Sequence, residues 1–260
     1  MKTSEHHTTA GDGTRITMRW YTKDGVAPGP AVLFFHRGGY IFGHIDLFDG
    51  PVARYVSASG APMLSVPYRR AAEHPVPTPL EDAYSALRWL HEHAAELGVD
   101  PDRISVMGDS AGGGTAAGLT ILAERGGPKI ARQILIMPML DDRTTTPDPH
   151  IASYALWSYD GSRTAWPALL GEAAGGPDVP ATAAPARLED AVGLPAAYIE
   201  VGQLYVFRDE DTPCHQTQPR WRPVEFHLHP GAPHEFDSIA YTSDLARRAI
   251  TDRIRVLKSI

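Results

Sequence analysis

The sequence predicts an α/β protein with a mostly parallel central sheet and helices on both faces. Short apolar runs alternate along the chain with longer helical patterns. Several of these runs are continuously apolar, as in strands that are covered on both faces. A chain of 260 residues can also bury one sizeable core. We therefore expect a single domain over residues 1–260, with one insertion.

The strands are predicted from apolar runs and from alternation. The segment at 31–36 is continuously apolar, whereas those at 16–21 and 224–230 alternate like half-buried strands. The predicted strands are 16–21, 31–36, 62–66, 103–108, 132–138, 195–202 and 224–230.

The helices are predicted from three- and four-residue spacing. Apolar residues between Pro79 and Gly98 form one stripe, with the proline suited to the first turn and the glycine to the residue past the end. A glycine-rich helix is expected after Ser110, and an amphipathic helix at about 238–258.

The segment at about 140–188 breaks the alternation. It is rich in Asp, Thr, Pro, Ala and Gly and carries Trp157 and Trp166. Loops of that length in compact domains are usually functional lids or disordered segments. We interpret it as an inserted cap of short packed helices, the alternative being a surface excursion without a role.

Composition excludes several function classes. A net charge of −7 argues against a nucleic-acid-binding protein. The first residues contain no apolar run, so neither a signal peptide nor a membrane span is expected, and the predicted location is cytoplasmic. A single cysteine, Cys214, excludes an internal disulfide and a cysteine-based zinc site.

The stretch "GDSAG" at 108–112 places Ser110 between a predicted strand and a predicted helix. This strand–turn–helix context is that of a nucleophile elbow, in which small residues at 108 and 112 avoid clashes. A glycine-rich helix start without catalytic role is the alternative.

Two glycines, Gly38 and Gly39, follow the strand at 31–36. Their N–H groups, together with that of Ala111, are the predicted donors of an oxyanion hole. His234 lies after the last strand, where a loop at the carboxyl end of the sheet can bring it to Ser110 as a general base. His227 and His229 are nearby, but they lie within the predicted strand.

Several motifs together resemble the hormone-sensitive-lipase-type carboxylesterases of the α/β-hydrolase superfamily. They are H-x-G-G-Y at 36–40, "YRRAAEHPVPTPLEDAYSAL" at 68–87, "GDSAGG" at 108–113, "MPMLDDR" at 137–143, "VGQLYVFRDE" at 201–210 and "PHEF" at 233–236. The resemblance implies an α/β-hydrolase fold and hydrolysis of short-chain esters through an acyl-serine intermediate, without a metal or organic cofactor.

The sequence departs from this family at the oxyanion motif. The family has H-G-G-G, and here Arg37 replaces the first glycine. We expect Arg37 to crowd the loop or to alter its backbone, although the donors Gly38 and Gly39 are retained. The chain before His36 is also short for the family, which implies a small cap, a more open pocket and a possible homodimer.

A second departure concerns the acid of the triad. The family carries an aspartate that orients the histidine, and Tyr205 stands at that position. Because loss of this aspartate typically lowers turnover about 10⁴-fold, we expect an impaired enzyme. Asp209, Glu210 and Asp211 are the candidates to replace the missing carboxylate.

The run at 212–222 does not have the apolar stripe expected of a helix. The run can be encoded so that reading one base later gives residues typical of an amphipathic helix, so we hypothesise a local frame slip. An irregular surface loop is the alternative.

The sequence thus predicts a serine carboxylesterase acting on a small-molecule ester. The main alternative is a catalytically weak or inactive binding protein on the same fold, which Arg37 and Tyr205 favour. An amidase or peptidase is a third reading, disfavoured because a weakened acid–histidine pair protonates an amine leaving group poorly.

Overall fold

The computed structural model describes residues 1–25, 28–212 and 223–260. Its strands are β1 (Lys2–Thr9), β2 (Arg15–Thr22), β3 (Gly29–Phe35), β4 (Met63–Val66), β5 (Val99–Asp109), β6 (Arg132–Ile136), β7 (Ala196–Gly202) and β8 (Val224–His229). Its α-helices are α1 (Asp49–Ser59), α2 (Thr78–Glu92), α3 (Ala94–Leu97), α4 (Ala111–Glu124), α5 (Tyr159–Leu170), α6 (Arg208–Asp211), α7 (Phe236–Ile239) and α8 (Asp244–Lys258).

The strands form one sheet in the order β1-β2-β4-β3-β5-β6-β7-β8. The pairs β1·β2 and β2·β4 are antiparallel, and the pairs from β4 to β8 are parallel. The predicted fold class, a mostly parallel sheet covered by helices, is therefore confirmed.

The continuous apolar run of β3 follows from burial on both faces of the sheet. Val32 and Phe34 belong to the core on one face, whereas Leu33 and Phe35 belong to the core on the other. Because successive side chains of a strand point to opposite faces, a doubly covered strand needs apolar residues at every position.

Strand β1 and helix α1 have no counterpart in the predicted set. Strand β1 is polar and largely exposed, and it pairs antiparallel with β2 through its backbone, so it gives no apolar signal. Helix α1 carries only Val52 and Val56 as buried residues. The helix predicted between Pro79 and Gly98 is divided at His93 into α2 and α3, and Gly98 ends it in the left-handed conformation.

The segment between β6 and β7 contains α5 and three short 3-10 helices. Trp166 is buried at 1% exposure and its ring lies 5.5 Å from that of Tyr40. The N–H of Val76 donates to the carbonyl of Leu169 at 2.9 Å. These contacts pack the inserted segment against the loop that follows β3 and the loop between β4 and α2. Its status as a separate cap stays a prediction.

No helix within the described ranges has the length and apolar character needed to cross a bilayer. Residues 213–222, with Cys214 and the hypothesised frame slip, lie outside the described residues.

Candidate active site

Ser110 occupies the turn between β5 and α4. Its φ of 55° and ψ of −117° are strained values for a residue with a side chain. Backbone hydrogen bonds hold this conformation: the Ser110 N–H donates to Ile136 at 2.9 Å, and its carbonyl accepts from the N–H of Met139 at 2.9 Å. The turn therefore has the geometry expected of a nucleophile elbow.

The glycines on either side of Ser110 permit a close approach of backbones. A Cβ at Gly108 would lie 2.0 Å from the carbonyl oxygen of Gly112. A Cβ at Gly112 would lie 2.1 Å from the carbonyl oxygen of Phe35, at the end of β3. The expectation that these positions need small residues is confirmed by these distances.

The oxyanion loop, residues 36–43, leaves β3 directly. Gly38 and Gly39 adopt φ values of 140° and 56°, which only glycine reaches easily. Among the described residues, the N–H groups of Gly38, Gly39 and Ala111 have no hydrogen-bond acceptor. Unsatisfied backbone donors are what an oxyanion hole requires, and the role of these three groups stays a prediction.

His36 fixes the start of this loop. Its ring stacks on Tyr68 at 4.6 Å, and its Nδ1 lies 2.8 Å from the carbonyl oxygen of Arg37. The Tyr68 hydroxyl donates to the carbonyl of His36 at 2.7 Å. Burial lowers the pKa of His36 to about 4, so the ring is neutral and structural at neutral pH.

His234 lies in the loop between β8 and α7, with 4% of its surface exposed. Its Nδ1 is buried and has no hydrogen-bond partner within the described residues. Burial, followed by the positive charge of Arg37, lowers the pKa of His234 to about 3. The imidazole is therefore neutral at neutral pH, and within the described residues no carboxylate is hydrogen-bonded to its Nδ1.

Tyr205 follows β7 and contacts both predicted catalytic side chains. Its ring stacks on His234 with centroids 4.0 Å apart and an angle of 6°, and its hydroxyl lies 3.5 Å from Nε2 of His234. The lone pair of an imidazole lies in the ring plane, so this is a stacking contact at the outer limit of hydrogen-bonding distance. The Ser110 side chain also lies close enough to this hydroxyl to lower the pKa of Tyr205, against the larger effect of burial.

Tyr205 remains neutral in this position. It is fully buried, and burial raises its pKa well above the ordinary value. The contacts of Tyr205 with Ser110 and His234 bring the three loops that carry these residues together at the carboxyl end of the sheet. Tyr205 supplies aromatic surface at the position of the acid, but no charge.

Three acidic residues, Asp209, Glu210 and Asp211, follow Tyr205 in the chain. The Asp209 carboxylate pairs with Arg208 at 2.6 Å, and Glu210 accepts from the N–H of Leu140 at 2.7 Å. Asp211 is buried, and its carboxylate oxygens have no hydrogen-bond partner in the described chain. Within that part of the chain, no hydrogen bond or ion pair joins any of them to His234. They do not replace the missing acid in this structure.

Arg37 does not point into the oxyanion loop. Its Nη1 donates to Oδ2 of Asp109 at 2.8 Å, and its Nε lies 2.9 Å from Oε1 of Glu235. Its Nη2 lies 3.3 Å from the Ser238 hydroxyl. The residues of the described chain that adopt positive φ do not include Arg37, so an arginine fits this backbone position. The expected crowding is wrong because the side chain is drawn toward two carboxylates.

Sequence reasoning missed two neighbours of the site. The first is Glu235, whose Oε1 lies 3.5 Å from Nε2 of His234. Its position directly after the histidine, together with an arginine at position 37, was the sequence signal that could have indicated this contact. The indole of Trp157 packs on Gly39, where a Cβ would lie 2.0 Å from its ring. No sequence pattern indicated that second contact.

The described residues hold no group of three His, Cys, Asp or Glu side chains arranged to bind a metal ion. The chemistry that the site offers is that of a hydroxyl at a strained turn, a neutral imidazole and free backbone donors.

A family of proteins described as having the alpha/beta hydrolase fold matches residues 32–238. Esterase LipI of Mycobacterium tuberculosis (strain ATCC 25618 / H37Rv) is 37% identical over 200 residues, which cover 71% of this chain and 58% of LipI. Carboxylesterase NlhH of the same strain is 38% identical over 219 residues, covering 79% of this chain and 66% of NlhH. The chain thus spans about 58–66% of the length of these curated relatives.

Solved structures agree with the sequence comparison. A bacterial heroin esterase superposes with a TM-score of 0.91 at 32% identity, covering 99% of this chain and 84% of that chain. EstE1, a carboxylesterase cloned from a metagenomic library, superposes with a TM-score of 0.88 at 32% identity, covering 99% and 88%.

Proposed function

The chain belongs to the alpha/beta hydrolase fold family, and from this premise we propose that it hydrolyses short-chain carboxylic esters through an acyl-serine intermediate. Its resemblance to the hormone-sensitive-lipase-type carboxylesterases is confirmed at the level of the family. Named relatives include esterases and carboxylesterases, which supports ester hydrolysis as the reaction class. A small-molecule ester is the proposed substrate; the cytoplasmic location and the homodimer stay predictions.

One observation carries the proposal: Ser110, at a strained turn, lies against Tyr205, which stacks on His234. This convergence places a hydroxyl and an imidazole at the same end of the sheet. In the proposed reaction, His234 accepts the Ser110 proton as the serine oxygen attacks the ester carbonyl. The N–H groups of Gly38, Gly39 and Ala111 stabilise the oxyanion.

The second half of the reaction repeats these roles. Protonated His234 donates its proton to the leaving alkoxide, which gives the alcohol and the acyl-enzyme. Water then attacks the acyl carbonyl while His234 accepts a proton from the water. His234 returns this proton to the Ser110 oxygen as the bond from that oxygen to the acyl carbon breaks and the carboxylic acid leaves. The proposed steps use only Ser110, His234, water and backbone N–H groups.

Turnover is proposed to be low, for an electrostatic reason. The pKa of His234 is lowered to about 3, and the residue at the acid position is a neutral tyrosine. A base whose pKa lies far below the working pH is a poor proton acceptor. The imidazolium that forms in the transition state therefore lacks the carboxylate that a complete triad places at its Nδ1.

The same observation favours a second candidate, a small-ligand binding protein on this fold. Ser110 is 2% exposed and Tyr205 fills the acid position, which is compatible with a scaffold that has lost its chemistry. Hydrolysis of p-nitrophenyl acetate and butyrate by the wild type and by Ser110→Ala separates the two. Turnover that disappears in Ser110→Ala supports the esterase; equal rates in both proteins support the binding protein.

Covalent labelling gives an independent test of the nucleophile. A fluorophosphonate ester is expected to modify Ser110, with the adduct located by mass spectrometry on the peptide that contains residue 110. Absence of the adduct after long incubation, in a protein that is folded by circular dichroism, would contradict the acyl-serine mechanism.

A further inference from the structure

The guanidinium of Arg37 connects the three loops that carry the predicted active-site groups. Arg37 belongs to the oxyanion loop, Asp109 immediately precedes Ser110, and Glu235 immediately follows His234. The contacts from Arg37 are 2.8 Å to Asp109 and 2.9 Å to Glu235. Arg37, which precedes the predicted donors, thus binds both the residue before the nucleophile and the residue after the base.

The burial of these groups makes the connection strong. The Arg37 side chain is 20% exposed, that of Asp109 is 11% exposed and that of Glu235 is 28% exposed. Ion pairs that are partly removed from water are screened less by solvent than exposed pairs. The guanidinium also lies over the ring of Phe48, with 5.1 Å to its centroid, which limits its freedom of movement.

Apart from its stacking on Tyr205, the imidazole has few contacts that orient its nitrogen atoms. Its Nδ1 has no partner within the described residues, and its polar neighbours, the Tyr205 hydroxyl and Glu235, both lie at 3.5 Å. In a complete triad a carboxylate holds the histidine by its own hydrogen bond. Here the ion pair with Arg37 holds the next residue in the chain, Glu235, instead of the histidine itself.

We propose that Arg37 is a positioning residue that fastens the histidine loop to the nucleophile turn through Glu235 and Asp109, and so partly replaces the orienting role of the missing triad acid. This inference rests on the proposed esterase function. Arg37 acts through its neighbours and does not itself contact the substrate. The residue that departs from the family motif at the oxyanion loop is thereby linked to the departure at position 205.

The test compares Arg37→Met with Arg37→Lys and with a matched control, Arg19→Met. Arg19 is also 20% exposed, and it pairs with Asp49 at 2.6 Å and Asp46 at 2.8 Å, on β2 and outside the proposed site. Each variant is assayed for kcat and KM on p-nitrophenyl butyrate, for the rate of fluorophosphonate labelling of Ser110, and for its melting temperature.

We expect Arg37→Met to lower kcat and the labelling rate about 30- to 100-fold, with KM changed less than about threefold, because misplacement of a reacting group by about 1 Å costs about 10²-fold. Arg37→Lys, which keeps the charge, is expected to recover part of the rate. Arg19→Met is expected to lose similar thermal stability with wild-type kcat.

The double variant Arg37→Met/Glu235→Gln is expected to be no slower than Arg37→Met alone, because both changes break the same connection. Wild-type kcat in Arg37→Met, or an equal loss of kcat in Arg19→Met, would overturn the inference while leaving the esterase proposal intact. Absence of serine-dependent turnover in the wild type would instead contradict the proposed function.

Discussion

The imidazole of His234 lies parallel to the phenol ring of Tyr205, with the two centroids 4.0 Å apart and the ring planes inclined by 6°. This contact restricts the tilt of the histidine ring but does not set the direction of its nitrogen atoms. It contributes no charge, because burial keeps the tyrosine neutral. The site therefore has an imidazole that is packed against an aromatic ring but lacks the negative charge of a triad acid. Substitutions at position 205 can test the ring and the charge separately.

Restoring a carboxylate at position 205 is expected to raise activity. Tyr205→Asp should increase kcat by about 10²- to 10⁴-fold, since the charge of the triad acid is worth up to about 10⁴-fold. Tyr205→Asn is the matched control, because it makes a similar cavity without the charge. A rise in kcat of equal size in both variants would show that the tyrosine obstructs the site rather than leaving it uncharged.

Removing only the hydroxyl of Tyr205 is expected to have a small effect. Tyr205→Phe keeps the stacking ring and loses contacts that are marginal or neutral, each worth about 1 kcal/mol, so kcat should change less than about tenfold. Steady-state kinetics on p-nitrophenyl butyrate measure this. A loss of 100-fold or more would assign the hydroxyl a direct part in proton transfer.

The pH dependence of kcat/KM is expected to follow the ionisation of Glu235. Burial, opposed by Arg37 and reinforced by the charges of Asp109 and Asp237, raises the pKa of Glu235 to about 7. Glu235 is therefore ionised and paired with Arg37 above about pH 7, and it becomes protonated as the pH falls. We expect kcat/KM to decrease as the pH is lowered through 7.

The variant Glu235→Gln distinguishes the titration of Glu235 from that of His234, which lies in contact with it. The pKa of His234 is lowered to about 3, so the imidazole remains neutral between pH 5 and 8 and contributes no limb there. The profile of Glu235→Gln is accordingly expected to be flat between these values. An acid limb near pH 7 that persists in Glu235→Gln would contradict the assignment.

The free N–H groups of the oxyanion loop are tested at Gly39. Gly39→Ala adds a methyl group where φ is 56° and where the Trp157 ring would lie 2.0 Å away, so the loop must move. We expect kcat to fall about 10²- to 10³-fold, as for the loss of one oxyanion donor. Gly60→Ala is the control: its φ is 81° and nothing lies within 4 Å of the added carbon.

Gly60→Ala is expected to lose stability with unchanged kcat, because its backbone strain lies far from the site. The double variant Gly39→Ala/Trp157→Ala relieves the contact with the indole but retains the altered φ. Full recovery of kcat in the double variant would show that the loss arises from the indole and not from the backbone donors.

Much of the sheet was predictable because burial leaves a direct trace in sequence. Val32 to Phe35 are apolar at every position since both faces of β3 are covered. Strand β1 leaves no such trace, because an exposed edge strand is held by backbone pairing, for which any residue that tolerates extended geometry is adequate.

The candidate site was predictable to the level of its loops. The turn at Ser110 is dictated by local sterics, which short motifs record. The ion pair of Arg37 with Asp109 joins residues far apart in sequence, and the stacking of Tyr205 on His234 depends on side-chain rotamers. Such contacts depend on how the loops pack in three dimensions, and the motifs contain no information on this.

A buried ionic cluster of Arg253, Glu200 and Asp237 contributes to the stability of the fold. Arg253 of α8 is 1% exposed and donates to Glu200 of β7, which is fully buried, and also to Asp237 of α7. Burial opposes ionisation of Glu200, but Arg253 and His229 outweigh it and lower its pKa to about 2. Because the folded pKa lies below the ordinary value of 4.5, this contribution to stability is complete above pH 4.5 and is lost as the pH falls toward 2.

Glu200→Gln is expected to lower the free energy of unfolding by about 3–5 kcal/mol, since it leaves the buried guanidinium with one carboxylate fewer. The control is Arg255→Met, which breaks an exposed pair with Glu225 and should cost less than about 1 kcal/mol. Urea denaturation at pH 7 measures both. Near pH 3 the difference between wild type and Glu200→Gln should shrink, because protonation progressively removes the same charge. A difference that stays constant between pH 7 and 3 would show that the loss comes from packing rather than from the ion pair.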